Sequence, residues 1–214
     1  MRRGESVGDN FMSKGGIYLA PFSSCNDLDV QIPIAIDRYS MVKRSKVGAY
    51  SSFGCFSWVV DCEIGRYVSI GSRCSISPHE HPKSWLSTSG FQYRTQPWMD
   101  FPMVHEVSYR EPTKRTIIES DAWVGDNVFI RSGVHVGLGA IIGAGSVVVK
   151  DVPEFAIVAG NPAKVIRYRF EVEIQQMIRE SKWWHFDQID LSGCPFSDIN
   201  DALNFIKRLN DIRQ

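Results

Sequence analysis

Two histidines separated by one residue, His79 and His81, lie in the motif Ser-Pro-His-Glu-His-Pro. Imidazole exchanges its proton near physiological pH, so a histidine placed beside a reacting group can act as a general base. His105 follows in the same part of the chain, whereas His135 and His185 lie far from it. Any of the five can also be an ordinary surface histidine, and spacing alone does not decide between these two readings.

The cysteines and serines do not indicate a metal site or a covalent nucleophile. The five cysteines include no Cys-x-x-Cys pair, and we interpret them as reduced, structural thiols. The serines that follow His81 are not in a nucleophile-elbow motif. The cysteines are residues 25, 55, 62, 74 and 194, and the serines are Ser84, Ser87 and Ser89.

A six-residue repeat of branched aliphatics predicts the scaffold that positions these residues. Neither an α-helix nor an open strand keeps every sixth residue on one face, so the repeat indicates a solenoid in which each hexad is a short strand and a turn. Small or modest side chains stand four residues into each hexad and suit a tight interior. The aliphatics are Ile118, Val124, Ile130, Val136, Ile142 and Val148, and the smaller residues are Ala122, Val128, Val134, Ala140 and Ser146.

An earlier block shows the same repeat with a slip of one residue. Val47, Phe53 and Val59 are followed by Ile64 instead of a residue at 65, and we expect a bulged corner there. Between the two blocks, residues 79 to 117 abandon the repeat and are rich in proline and aromatic residues. An excursion of this length is usually functional or disordered, and its aromatic content argues against disorder.

The predicted organisation is one structural domain with appendages. Residues 1–35 form a lead-in, 36–166 the solenoid with its excursion, and 167–214 a helical region. The helical region contains two stretches of apolar residues at helical spacing, and Ser197-Asp198 is typical of the cap of the second.

Composition excludes several classes of partner. Lys and Arg together number 24, as do Asp and Glu, so the chain has no basic excess for nucleic acid or a membrane surface. No segment approaches 18 uninterrupted apolar residues, and no apolar stretch follows Arg2 and Arg3. We therefore expect neither a membrane span nor export, and a cytoplasmic location.

Several motifs together resemble a known family. The Ile-Gly and Val-Gly hexads, the histidine motif continuing to Thr88, Asp-Ala-Trp-Val-Gly at 121–125, Ala-Gly-Asn-Pro-Ala-Lys at 159–164 and Lys-Trp-Trp at 182–184 are similar to the hexapeptide-repeat acyltransferases. Within these, the chain resembles the subgroup of chloramphenicol, streptogramin and polysaccharide acetyltransferases, over residues 36 to 190. The resemblance implies an all-β fold, a left-handed parallel β-helix, and a homotrimer with active sites between subunits. It also implies acetyl-CoA as the acyl donor and no metal.

The resemblance assigns His81 as the catalytic base, with His79 and then His105 as alternatives. It places Trp123 beside the acyl or pantetheine end of coenzyme A, unless the ring only packs at a coil corner. Gly160, Lys164 and Arg167 lie in the part of the chain expected beside the nucleotide end, although exposed cations are usually only solvated. Because glycine allows a ligand close to the main chain, we expect the oxyanion to meet the backbone at Gly139 and Ala140.

The acceptor pocket is expected to combine the excursion with the early coils. Tyr50 corresponds to a position that faces the acceptor in relatives, and Trp85, Phe91 and Tyr93 can stack on a sugar ring or form a small hydrophobic knot. The predicted function is direct O-acetylation of a sugar of a cell-surface polysaccharide or its precursor. The alternatives are N-acetylation of a nucleotide-linked amino sugar, acetylation of an antibiotic such as chloramphenicol or a streptogramin, and a non-catalytic scaffold.

Overall fold

The computed structural model describes residues 12–14, 16–93 and 114–213. It is a solenoid of about 7 coils followed by two helices. In chain order the strands are β1 (Met12–Lys14), β2 (Ile17–Leu19), β3 (Ser24–Asn26), β4 (Asp29–Val30), β5 (Ile34–Ile36), β6 (Met41–Lys43), β7 (Lys46–Val47), β8 (Ser51–Phe53), β9 (Trp58–Val60), β10 (Cys62–Ile64), β11 (Ser69–Ile70), β12 (Ser75–Ile76), β13 (Thr116–Ile118), β14 (Trp123–Val124), β15 (Phe129–Ile130), β16 (His135–Val136), β17 (Ile141–Ile142), β18 (Val147–Val148), β19 (Ala156–Gly160) and β20 (Ala163–Tyr168).

Three sheets form the faces of a prism. The first face is β2-β5-β8-β11-β14-β17-β19, the second is β3-β6-β9-β12-β15-β18 and the third is β4-β7-β10-β13-β16. Strands within a face pair in parallel with the next coil, while β1 and β20 add antiparallel strands at the two ends of the first face. This is the predicted left-handed parallel β-helix. We call the turn from first to second face the first corner, from second to third the second corner, and from third back to first the third corner.

The six-residue repeat fills the interior, as predicted. Ile118, Val124, Ile130 and Val136 are each 0% exposed, and each pairs with its equivalent one coil away. The preceding residue of each strand points outward. Each two-residue strand of the later block therefore displays one outward side chain, in straight rows along the solenoid.

The slip in the early block is a shortened corner and not the bulge that we expected. Ile36 pairs with Phe53, 17 residues later, whereas Ile118 pairs with Val136, 18 residues later. The missing residue belongs to the second corner, where a left-handed residue such as Arg44 or Asp61 turns the chain. These two side chains form an ion pair between coils, with the Arg44 Nη2 atom 2.6 Å from the Asp61 Oδ2 atom.

Buried serines join neighbouring coils of the early block. Ser51 is 2% exposed; its hydroxyl donates to the Gly65 carbonyl at 2.8 Å and accepts from the Val68 N–H at 3.1 Å. Two of the five cysteines, Cys62 and Cys74, also lie in this interior, and all five are free thiols. Burial raises the pKa of Cys62 to about 12, so this thiol is unreactive.

Both predicted helices are present, α1 (Val172–Ser181) and α2 (Ile199–Arg213). Asp198 caps α2, because its carboxylate accepts from the N–H groups of Asn200 and Asp201 at 3.0 Å. The helices cover the third corner through a cluster of Leu138, Phe155, Ile178 and Leu203. Among the described residues, no helix is long and apolar enough to cross a membrane. The coils begin at β2, inside the segment that we assigned to a lead-in.

Candidate active site

His81 lies in the excursion that leaves the second corner after β12. Its ring is exposed, and its Nδ1 atom is 2.7 Å from the carbonyl oxygen of Thr88. A carbonyl can only accept, so a hydrogen bond at this distance requires a proton on Nδ1, and in the neutral ring Nε2 then carries the lone pair. This tautomer presents an unprotonated nitrogen to a substrate, as a general base requires.

The aromatic residues of the excursion support this histidine. The Tyr93 hydroxyl lies 3.2 Å from His81 Nδ1, and the Trp85 ring meets the Tyr93 ring edge-on at 5.8 Å. Gln92 donates to the carbonyls of Ser87 and Ser89, which closes the segment. The structure thus brings three of the predicted residues, His81, Trp85 and Tyr93, together in one knot. Phe91 is half-buried in a short 3-10 helix of the same segment, Gly90–Gln92.

The other histidines have different surroundings. His79 is exposed near the second corner, where its charge contributes to lowering the pKa of Asp61 after the larger effect of Arg44. His105 lies outside the described residues. The His135 Nε2 atom is 2.7 Å from the Glu119 carboxylate on the third face. The pKa of His185 is lowered, mainly by burial and then by the nearby charges of Arg66 and Lys182.

Trp123 is an outward residue of the first face and is 54% exposed, so it is not packed at a corner. Its row continues through Ile141 and Ile157 to Arg167, because each of these pairs with the next. Ala159 pairs with Lys164 beside this row. Two exposed cations, Lys164 and Arg167, therefore stand on β20 at the end of an apolar row that starts at Trp123. Gly160 ends β19 next to them, with its N–H donating to Ser146.

Gly139 and Ala140 are buried in the third corner, and the N–H groups of both are already hydrogen-bonded within the solenoid. The Gly139 N–H donates to the Ser120 carbonyl at 2.9 Å, and the Ala140 N–H donates to the Gly137 carbonyl at 3.1 Å. The Gly139 carbonyl accepts from Arg169, which also binds Asp121. Our expectation that these amides meet an oxyanion disagrees with this arrangement, because an N–H already paired and buried has no bond to offer.

Tyr50 also lies at the third corner, on the other side of the third face from the excursion. Its ring stacks on Tyr67 with centroids 4.7 Å apart, and the Arg66 guanidinium lies 5.3 Å from the Tyr50 centroid. Arg66 also donates to the Trp184 carbonyl and to Asp187, whose pKa this hydrogen bond lowers. Within one chain, Tyr50 and His81 therefore belong to different corners.

Two clefts, of about 360 and 420 Å³, lie on the third face beneath Trp184 and share Lys46 and Ser120 as lining residues. Neither is lined by His81 or Trp123. In the parts of the chain that the structure describes, no group of three His, Cys, Asp or Glu side chains could hold a metal ion. Sequence reasoning missed the role of Thr88, since a backbone carbonyl has no residue-type signal.

The comparisons with known proteins agree on one kind of enzyme. The chloramphenicol acetyltransferase of Agrobacterium fabrum (strain C58 / ATCC 33970) is 32% identical over 174 residues, which cover 71% of this chain and 80% of that protein. The chloramphenicol acetyltransferase of Escherichia coli is 33% identical over 146 residues, covering 67% of this chain and 64% of that protein. No model of a protein family matches the chain.

Solved structures share the fold. The Bacillus cereus N-acyltransferase AntD, in a variant bound to dTDP-4-amino-4,6-dideoxyglucose and coenzyme A, superposes with a TM-score of 0.59 and 19% identity. The match covers 78% of this chain and 89% of that chain.

Proposed function

Because this chain belongs to the hexapeptide-repeat acetyltransferases and is an acetyl-CoA-dependent enzyme, we propose that it acetylates a hydroxyl of a sugar in a cell-surface polysaccharide or its precursor. The observation that carries this proposal is the hydrogen bond from His81 Nδ1 to the Thr88 carbonyl. It leaves Nε2 ready to take a hydroxyl proton. The reaction then belongs in the cytoplasm, where acetyl-CoA and sugar precursors meet.

In the proposed mechanism, His81 Nε2 removes the proton as the acceptor oxygen attacks the thioester carbonyl. The tetrahedral intermediate expels the coenzyme A thiolate, which recovers the proton from the imidazolium. The products are the acetyl ester and free coenzyme A, and the protein forms no covalent bond to the acetyl group. Direct transfer agrees with the absence of a nucleophile-elbow motif at the serines of the described excursion.

Coenzyme A is proposed to lie along the first face. Three steps between neighbouring strands separate Trp123 from Arg167, or about 14 Å at the usual strand spacing. An extended pantetheine arm suits an apolar row of this length, with the acyl end at Trp123. Lys164 and Arg167 then meet the phosphates as charge-assisted donors.

The site is proposed to be shared between copies of the chain in a homotrimer. His81 lies in the excursion that leaves the second corner, Tyr50 lies at the third corner, and Trp123 lies on the first face. A neighbouring copy that places its second corner beside the first face would unite the base, the donor row and the tyrosine. In this arrangement a monomer is inactive.

The acceptor is proposed to bind at Trp85, Phe91 and Tyr93. Aromatic faces suit the apolar side of a sugar ring, and neighbouring hydroxyl groups can bind its oxygens. A second candidate is acetylation of a chloramphenicol-type hydroxyl, which the names of the relatives favour. A third is N-acetylation of a nucleotide-linked amino sugar, the kind of ligand bound to AntD.

An acceptor screen tests the proposal. Acetyl-CoA is incubated with sugars, nucleotide-linked amino sugars, chloramphenicol and a streptogramin, and the release of free thiol is followed. We expect the highest kcat/KM with a sugar hydroxyl. A higher kcat/KM for chloramphenicol, together with resistance of a sensitive host at ordinary expression, contradicts the sugar assignment and supports the second candidate.

A further inference from the structure

Three aromatic side chains form a column at the first corner. Phe22, Tyr39 and Phe56 occupy successive coils, with both pairs of ring centroids 4.9 Å apart and the planes within 8° of parallel. Their exposed fractions are 68%, 51% and 58%. A straight apolar column that runs along the solenoid is thus open to solvent.

The turn itself does not require aromatic residues. All three have positive φ, a conformation unfavourable for bulky side chains, and later coils place Arg73, Asn127 or Gly145 at the same position. Apolar surface continues beside the column, since Trp58 on the second face is 51% exposed and pairs with Met41. A continuous exposed patch of this kind marks an interaction surface.

We infer that this column lies at the axis of the trimer, where each copy packs Phe22, Tyr39 and Phe56 against the same residues of the other two copies. The inference rests on the homotrimer of the proposed function and identifies the surface that forms it. The rings repeat every 4.9 Å. An identical row that runs parallel to this one would have the same spacing and could cover every ring. Rotation about an axis parallel to the solenoid brings equal rungs to equal height and closes a ring.

Charge supports the choice of corner. Beyond the aromatic column, the first corner presents Arg73 and Asp126 3.7 Å apart, so rotation can place the arginine of one copy near the aspartate of the next. The third face instead displays Asp29, Lys46 and Glu63 in one row. The third corner is already covered by the two helices.

The arrangement also explains how the site is completed. The corner of a three-sided prism is narrow, so three such corners at one axis leave three wedge-shaped clefts. Each cleft has the first face of one copy as one wall and the second face of the next as the other. The excursion leaves from the outer edge of that second face. It therefore brings His81 of one copy to the mouth of the cleft that contains Trp123 of its neighbour.

Sedimentation of Tyr39→Asp tests the inference. We expect the wild type to sediment as a trimer and the variant as a monomer that keeps the circular dichroism spectrum of the fold and loses its turnover. Ile212→Asp is the matched control, because Ile212 on α2 is 80% exposed and lies away from the column. The Ile212→Asp variant and the conservative Tyr39→Phe variant should both remain active trimers.

A cross-link keeps the inference testable if Tyr39→Asp fails to fold. Tyr39→Cys treated with a short bis-maleimide should form covalent dimers, with wild type treated alongside to correct for the native thiols. No additional cross-link, or a Tyr39→Asp protein that stays a stable trimer, overturns the axis assignment and leaves the proposed function standing. A fully active wild-type monomer overturns the shared site and this inference together.

Discussion

The Nδ1 atom of His81 lies 2.7 Å from the Thr88 carbonyl oxygen, and this contact selects the nitrogen that can act as a base. The contact joins residues seven positions apart and involves no side-chain atom of Thr88. It orients the ring without adding a charged partner. The first two predictions follow from it.

His81→Ala should lower turnover by about 10²- to 10⁴-fold, the usual contribution of a positioned general base. The melting temperature should change little, because the ring is exposed. His79→Ala and His105→Ala are the controls and should lose much less. If His79→Ala is the inactive variant, the base is two residues away; if all three retain full activity, the mechanism is wrong.

Tyr93→Phe should reduce turnover by less than about tenfold. The hydroxyl lies 3.2 Å from Nδ1, while the shorter contact to Thr88 remains in the variant and holds the tautomer. Steady-state kinetics at saturating acetyl-CoA measure this. A loss as large as that of His81→Ala would mean that the tyrosine, and not the carbonyl, positions the ring.

Arg167→Ala should raise the KM for acetyl-CoA by about 10- to 100-fold with a smaller change in kcat, because a hydrogen bond to a charged phosphate is lost. Trp123→Ala should weaken acetyl-CoA use as well, through loss of the apolar wall. Arg208→Ala, an exposed arginine on α2, is the control and should be unchanged. Unchanged KM in Arg167→Ala and Trp123→Ala, or loss of wild-type activity in EDTA, would contradict the donor site.

Ser51→Ala should lower the free energy of unfolding by about 1–3 kcal/mol, because it leaves the buried Gly65 carbonyl and Val68 N–H without their partner. Ser52→Ala is a matched control one residue away, where the side chain is exposed on the first face. Its effect should be within about 0.5 kcal/mol. Urea unfolding measures both, and equal effects would show that the internal hydrogen bonds are not stabilising.

Asp61→Asn should remove an acid-sensitive part of the stability. The hydrogen bond from Arg44 lowers the pKa of Asp61 below its ordinary value. The resulting stabilisation is fully present above the unfolded-state pKa of about 3.9 and is lost as the pH falls through the lower folded-state pKa. The difference in unfolding free energy between wild type and variant should be constant near neutral pH and shrink below pH 4 or so. A difference that grows in acid would contradict this sign.

Periodicity predicted the scaffold because it reports directly which side chains face inward. Val124 had to be buried and Trp123 exposed once a strand of the solenoid was assigned there. The Asp198 cap of α2 could also be predicted from the sequence, because a helix cap involves only residues that are neighbours in the chain. The slip at the second corner was visible but misread, because a missing residue and an extra residue both shift the phase.

The acetyltransferase family and the residue types that could perform acetyl transfer were determined by the sequence alone, because both depend on short, local motifs. Contacts between distant parts of the chain were decided only by the tertiary structure. Stacking of coils engaged the amide of Gly139 with the Ser120 carbonyl, closure of the excursion brought His81 Nδ1 to the Thr88 carbonyl, and the prism separated Tyr50 from His81. Such contacts depend on which coil lies above which, and that order arises from packing and not from the identity of any single residue.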